Sequence, residues 1–335
     1  MSVIVYSDSP QAGQVQLPAK LRQYYDRNLL ENAVEELLLD DYASQKSLPS
    51  FTGDGIRFSR YERLPNFDTT PLVEGVVPDS TPLTKTDIET VSQDFGQYIR
   101  FTDKVMVAHE DGQRLVKVMS DELGKSAGES QENLLFAAIS AGSNILYADG
   151  ATSDAEVIAG LKKITSNDMK LARLALRNQI AKKITSVIKG STKVGTQPIP
   201  ATYIMFAHPD VVADLEALVG WKPVETYAGA GGDTLKGEVG SLDQFRVIES
   251  TLCPVDTTTD PNTPVYASFV FGADAFGRVS IRGRKAPQFI FKNVGRGGSE
   301  DPLDQLGSSG VKFSHAATIL NSAWLMELHS TSSFS

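Results

Sequence analysis

Four histidines, His109, His208, His315 and His329, are the residues of this chain best equipped for acid–base or metal chemistry, and their scatter withholds it from them. A helical zinc site needs two histidines four residues apart with a glutamate between them, and no such spacing occurs. His208 stands in His208-Pro209-Asp210. Proline suits a first helical position and the acid suits the positive end of a helix dipole, so the triplet reads as a helix start. His315 falls in a strand-like run and reads as a packed or interfacial residue. The single Cys253 excludes an internal disulfide and any paired-thiol metal or redox motif, and fits a reducing compartment.

Three further stretches invite a site and decline it. Gly229-Ala230-Gly231-Gly232-Asp233-Thr234 lacks the Gly-Lys-Ser/Thr ending of a phosphate loop, and reads as a surface loop. Asp256 and Asp260 lack the glycine and closing glutamate of a calcium-binding loop, so they read as an exposed turn. The densest basic stretch is Arg278, Arg282, Arg284, Lys285, Lys292 and Arg296, interleaved with Phe276, Phe289 and Phe291. Its default reading is a solvated strand face, and its sharper reading is an ion-pair surface between subunits. Nucleic-acid contact ranks third, because the aromatics share the parity of buried positions instead of forming a stacking platform. No catalytic constellation, metal site or cofactor site is expected.

Composition bounds the same conclusion. The 335 residues carry a formal net charge of −9, 41% are apolar and 22% are charged, which argues against a dedicated nucleic-acid binder. The opening Met1-Ser2-Val3-Ile4-Val5-Tyr6-Ser7-Asp8 has neither a basic leader nor an apolar core, and no apolar run reaches the ~18 residues of a membrane helix. A soluble, unexported chain is expected.

The elements that must position these residues are mixed. Residues 1–17 read as an arm. From Pro18, Leu21, Tyr25, Leu29, Leu30, Val34, Leu37, Leu38 and Tyr42 recur at helical spacing. Ile56 to Tyr61 reads as a strand, and Thr86 to Val107 alternates through Val91, Phe95, Ile99, Phe101, Val105 and Val107 as one long extended run. Between them Pro65, Pro71, Gly75, Pro78 and Pro82 mark a stiff, elongated tip. A two-stranded arm is at best marginally stable alone, so it should lie against another subunit; the plainer alternative is a hairpin folded back on its own core. His109 to Tyr147 predicts a long helix, with Gly124 and Gly128 as possible kinks. A turn follows at 148–150. Asn167 and Asp168 are expected to cap a helix running through Leu171, Leu174 and Ile184 to Val187. Strands are predicted at Thr202 to Ala207, Phe245 to Ile248, Ser268 to Phe271, Val279 to Ile281 and Phe289 to Phe291. The fold class is α+β in two lobes, without the strand–helix alternation of a doubly wound sheet.

Several blocks carry a resemblance. They are Gly142 to Gly150, Ala207-His208-Pro209-Asp210 with Asp214-Leu215-Glu216, Gly237 to Leu242, and the closing signature. That signature runs from Asp301-Pro302-Leu303-Asp304-Gln305 through Gly310-Val311-Lys312 to Ala317–Trp324. In this order they resemble the major capsid proteins of tailed phages, in particular those of N-4-like podophages, over about Tyr24 to Leu328. Val311 departs from the pattern, which commonly has an aromatic there, and no residue for an isopeptide cross-link can be placed.

The resemblance implies a Hong Kong 97-like capsid fold. Residues 1–49 would form an N-terminal arm and helix, 50–107 an extended loop, and 108–166 a peripheral domain with a spine helix. Residues 167–299 would form an axial domain, and 300–335 the closing strands of the peripheral domain. It implies a structural protein, not an enzyme, that self-assembles as pentamers and hexamers into the icosahedral head of a tailed double-stranded DNA phage. An encapsulin-type compartment, or less readily another virion part, is the alternative. Implied partners are further copies of the chain, a portal protein, scaffold and decoration proteins, and packaged DNA by non-specific proximity, with no membrane. The virion capsid, assembled in the host bacterial cytoplasm, is the implied location. Candidate interface residues are Arg57, Arg60, Arg63, Glu74, Lys85, Phe95, Tyr98, Arg278, Arg282, Arg284 and Lys285.

Overall fold

The computed structural model describes residues 3–4, 38–48, 55–64, 74–75, 77, 80–108, 112–142, 144–185, 199–227, 234–281, 287–295, 301–303 and 305–334. Strands β1 (Val3–Ile4), β2 (Ser44–Leu48), β3 (Gly55–Tyr61), β4 (Lys85–Val91) and β5 (Gln93–Thr102) precede helices α1 (Asp103–Ala108) and α2 (Gly112–Ser140). Then come β6 (Ile145–Tyr147), α3 (Asp154–Gly160), α4 (Ser166–Asn178), β7 (Tyr203–Ala207), α5 (Pro209–Glu216), β8 (Lys222–Pro223) and α6 (Val224–Tyr227). The remaining strands are β9 (Glu238–Leu242), β10 (Phe245–Glu249), β11 (Val255–Asp256), β12 (Val265–Phe271), β13 (Phe276–Ile281), β14 (Gln288–Lys292), β15 (Leu306–Ile319) and β16 (Leu325–Ser330).

Alternate residues of the central strands face two different helical layers, because successive side chains of a strand point to opposite faces. The order of the eight-stranded sheet is β6-β16-β12-β7-β10-β9-β8, with β11 on β12. Tyr203, Met205, Phe245, Val247 and Val270 pack on Met169, Ala172 and Leu176 of α4 and on Val211, Val212 and Leu215 of α5. Ile204, Phe206, Ile248, Phe269 and Phe271 pack on Leu135, Phe136 and Ile139 of α2. Coverage on both faces is why these strands read as continuous apolar runs.

The second sheet runs β1-β5-β15-β13-β2, with β14 on β15. Val116, Met119, Leu123 and Ala127 of α2 pack on its Phe101, Phe289, Val311 and Phe313. One helix of 29 residues, about 44 Å long, therefore joins the two lobes, its first half on one sheet and its last turns on the other. Gly124 and Gly128 lie within it without breaking it. The packed stripe outweighs their cost of roughly 1 kcal/mol each.

Several sequence expectations are corrected. The extended run of 86–107 divides at Ser92: β4 pairs with β3, β5 pairs with β15, and the chain turns helical from Asp103. At that turn the Asp103 carboxylate accepts from the adjoining Lys104 amide at 2.7 Å and places a negative charge in the first turn. The apolar alternation hid the change, since Phe101 and Val105 are four apart, a spacing that suits both strand and helix. Residues 93–102 are thus paired with β15, while β4 is paired with β3. Ile145–Tyr147, expected in the long helix, is instead a strand parallel to β16. The helix ends at Ser140, and a Cβ on Gly142 would come within 3.2 Å of the Ile139 carbonyl.

The helix expected to reach Val187 stops at Asn178, and its cap is Thr165, in a capping box with Asp168. The stripe from Pro18 lies outside the described residues up to Leu37. Its end, Leu39–Tyr42, is a 3-10 turn leading into β2, which pairs in parallel with β13. β13 and β14 join β15 in the six-stranded sheet, whereas β6 and β16 join the eight-stranded one.

Candidate assembly interface

β3 and β4 form a separate two-stranded sheet, paired from Gly55↔Val91 to Tyr61↔Lys85. This hairpin has two unlike faces. On one, Ile56, Phe58 and Ile88 pack on Val279, Ala316 and Leu320 of the chain's own body. The Lys46 ammonium lies 4.5 Å from the Phe58 ring centroid, and the Arg60 guanidinium donates to the Leu320 carbonyl at 3.4 Å. The other face is a ladder of charge. Arg57 pairs with Glu89 and, at 3.8 Å, with Asp87, while Lys85 lies 2.9 Å from Asp87. Hydrogen bonds from Ser59 and Lys85 hold the Asp87 carboxyl below its usual range.

Past the ladder along the chain, Tyr61, Leu64, Val77 and Leu83 are exposed, Val77 at 89%. Large apolar side chains left exposed near one another in sequence are the kind of surface that a partner covers. The hairpin therefore has an anchored root and an uncovered end.

The candidate residues divide accordingly. Arg57 and Lys85 form the ladder, Arg60 ties the root, and Arg63 and Glu74 are exposed toward the tip. Phe95 and Tyr98 lie on β5 in the body. Phe95 stacks on Phe313 with centroids 5.8 Å apart, while Tyr98 is exposed beside the Arg100 guanidinium.

Arg278 is not a surface charge: it is buried, 2.5 Å from Asp40 and donating to Gln131 at 3.1 Å. The 3-10 turn before β2 brings Asp40 to it, a contact that sequence distance conceals. Arg282, Arg284 and Lys285, like Arg296, lie outside the described residues, whereas Lys292 is exposed at the end of β14. Sequence reasoning missed Asp87 and Glu89. Their shared parity with Lys85, opposite Arg57, was the signal available.

The residues best suited to chemistry have structural work. His208 caps α5, its Nδ1 accepting from the Asp210 amide at 3.3 Å, and Asp210 accepts from the Tyr266 hydroxyl at 2.7 Å. Burial and that bond push Tyr266 up to about 12. Cys253 is buried, which pushes its thiol up and keeps it unreactive.

His329 lies between Asp154 at 2.6 Å and Glu327 at 3.0 Å. Burial would lower its pKa, but the bonds to Glu327 and Asp154 prevail and raise it. His315 is buried in β15, and burial together with the Arg278 charge lowers it to about 4. Asp256 and Asp260 accept from the backbone amides of Thr258 and Asn262 as ordinary turns. His109 and the Gly229–Gly232 loop lie outside the described residues.

Among the described residues no group of three or more His, Cys, Asp or Glu is placed to hold a metal. No helix among them is long and apolar enough to cross a membrane. The concavities are open grooves. One of about 440 Å³ is lined by Glu129, Glu132, Glu238 and Glu249, and Glu238 is held there by Arg246 and Tyr227. Another, of about 520 Å³, runs between α2 and β5 past Phe95, Gln97, Ser126 and Leu134.

Comparison with known proteins gives the surfaces a context. A family model described as phage capsid protein matches residues 85–317. The major capsid protein of Pseudomonas phage KPP21 is 24% identical over 264 residues, covering 71% of this chain and 66% of that protein. The chain thus spans just under two thirds of that relative's length. The capsid of Ralstonia phage GP4 superposes with a TM-score of 0.65 at 15% identity, covering 87% of each chain. The head structure of Helicobacter pylori bacteriophage KHP40 gives 0.58 at 14% identity, covering 86% of this chain and 87% of that one. At such identities the structural likeness speaks to the fold.

Proposed function

Because the chain belongs to the phage capsid protein family and has its Hong Kong 97-like α+β fold, we propose that it is the major capsid protein of a tailed double-stranded DNA phage. Copies of the chain associate as pentamers and hexamers and close into an icosahedral head around the genome. The observation that carries this reading is the family match over residues 85–317, which takes in the returning hairpin strand, the long helix and strands of both sheets. The finer placement among N-4-like podophages rests on the blocks at 142–150, 207–216, 237–242 and 301–324.

In this reading α2 is the spine, the six-stranded sheet is the core of a peripheral lobe, and the eight-stranded sheet is the core of an axial lobe. The β3–β4 hairpin is the extended loop, reaching from its anchored root to a neighbouring copy. Burial of its uncovered end would supply roughly 25 cal/mol per Å² before the costs of association are subtracted. A portal protein, scaffold and decoration proteins are further partners, and the packaged DNA is enclosed by proximity without sequence-specific contact. Assembly takes place in the host cytoplasm, and the mature location is the virion. The protein acts as a structural component with no catalytic step.

Electron microscopy and light scattering of the full chain, expressed alone and with a scaffold and portal, test this reading. Closed shells or capsomer rings are expected, and nucleic acid inside them marks a genome container. A uniform monomer or dimer under both conditions would overturn the proposal, and shells that consistently enclose a dedicated cargo protein would replace it with a cargo compartment.

A further inference from the structure

Two helices of the eight-stranded lobe end on residues that cost the isolated subunit energy and give it no burial in return. At the end of α3 the Lys162 amide bonds the Val157 carbonyl at 3.0 Å and the Leu161 amide bonds the Ile158 carbonyl at 3.1 Å. At the end of α4 the Ala181 amide bonds the Leu176 carbonyl at 2.9 Å and the Ile180 amide bonds the Arg177 carbonyl at 3.0 Å. These paired bonds define a helix terminus whose penultimate residue is left-handed, a place that glycine usually fills. Here it is Leu161 with φ 46° and Ile180 with φ 55°.

The other non-glycine residues with positive φ among those described are Asp149, Asp243, Gln244 and Asp274, all polar. Leu161 and Ile180 are the apolar exceptions, and both are 61% exposed. A β-branched side chain in the left-handed region is a true outlier, and backbone strain of this kind tends to collect where function requires it.

The helix that Ile180 follows also carries an apolar flank. α4 buries Met169, Ala172 and Leu176, while Leu171 and Leu174, neighbours on the helix surface, face outward and are about half exposed. Lys170 and Arg177 border them, exposed and in no ion pair with a described residue. The complement exists elsewhere on the same lobe, where exposed Glu216 ends α5, Val219 is 93% exposed, and Glu225 is exposed on α6. The first group is basic and apolar and the second is acidic and apolar, the complementarity that a head-to-tail contact between identical chains needs if it is to close into a ring.

We infer that the outer flank of α4 with Ile180 is one half of the contact between adjacent subunits of a capsomer, and that the Glu216–Val219–Glu225 surface of the next copy is the other half. This rests on the capsid reading and adds which faces meet. Ile180 is then a residue kept for the assembly against the preference of the subunit.

That opposition gives the test its sign. Ile180→Gly in the full chain should raise the melting temperature of the dissociated subunit by about 2 °C, because the strain is relieved. It should also raise the protein concentration needed for half-maximal assembly about tenfold. The double reversal Lys170→Glu with Arg177→Glu should leave a folded subunit that forms no rings, and adding Glu216→Lys with Glu225→Lys should restore them.

A lower melting temperature for Ile180→Gly would mean that the side chain serves its own subunit and would overturn the inference. So would wild-type assembly by the double reversal. Loss without rescue would overturn the pairing and direct the flank to another occupant, such as residues 5–37 of the chain. Each of these outcomes is read against a wild-type chain that assembles; a wild-type chain that forms no particle would instead sink the capsid reading itself.

Discussion

In β7 every residue from Tyr203 to Ala207 is buried, whereas in β3 only Phe58 of Gly55–Tyr61 is. Both strands alternate, yet the eight-stranded sheet is covered on its two faces by helices of its own chain, and the hairpin is covered on one. The sheet gains its stability within the subunit. The hairpin gains a foothold there through Phe58 and Ile88, and its remaining apolar surface stays uncovered in the single chain. The difference teaches where each region's stabilisation is realised. A change in the sheet should be felt by the folded subunit, and a change in the hairpin's end by the assembly.

Deleting residues 66–84 should break the comparison most severely. Closed particles should disappear while the subunit stays soluble with an unchanged melting temperature, read by electron microscopy and calorimetry. Normal shells from the deleted chain would show that the hairpin does not serve assembly.

Phe269→Ala should have the inverse profile. Phe269 is fully buried, 5.5 Å between ring centroids from Phe136 of the long helix, and its loss should cost about 3–5 kcal/mol in denaturant unfolding of the subunit. A loss under ~1 kcal/mol would mean that the sheet is not the main source of stability.

A pH series sharpens the contrast, because the body buries ionisable groups and the hairpin exposes them. His315 sits at about 4, against 6.5 in the unfolded chain. The unfolded state binds the proton first, so stability should fall as pH drops from about 6.5 toward 4, by up to ~3 kcal/mol. His329 acts with the opposite sign. Its raised pKa contributes stability that is fully present below about 6.5 and is lost as pH rises through the folded value. His315→Gln should flatten the acid limb of unfolding midpoint against pH; an unchanged limb would refute this account of the buried imidazole.

The smallest effect is expected at the ladder. Arg57 and Glu89 are both exposed, and pairs of this kind contribute little once screened. Arg57→Ala should leave the subunit's melting temperature unchanged at physiological salt, and a clear drop would mean that the ladder helps hold the root.

The parts of the fold legible in the sequence are those where burial leaves a mark on composition. Residues 203–207, 245–248 and 268–271 read as strands because both faces are covered, and His208-Pro209-Asp210 read as a helix start because its chemistry is local. β2 was not legible: Ser44-Gln45-Lys46-Ser47-Leu48 has no apolar alternation and is a strand because β13 lies beside it. The break at Ser92 was hidden by a parity that continues across it. Arg278 read as a surface charge because nothing near it in sequence announces Asp40. The connection between β3 and β4 was marked by its Pro and Gly residues, whereas the stacking of Phe95 on Phe313 was not legible because the two are far apart in sequence.

The most direct measurement is a cryo-electron microscopy reconstruction of the assembled wild-type particle at a resolution that traces the chain. The account predicts the root of each hairpin on its own Val279 and Ala316, with Tyr61, Leu64 and Leu83 covered by a neighbouring copy. A closed particle in which those side chains remain exposed, or are covered only by their own chain, would contradict it.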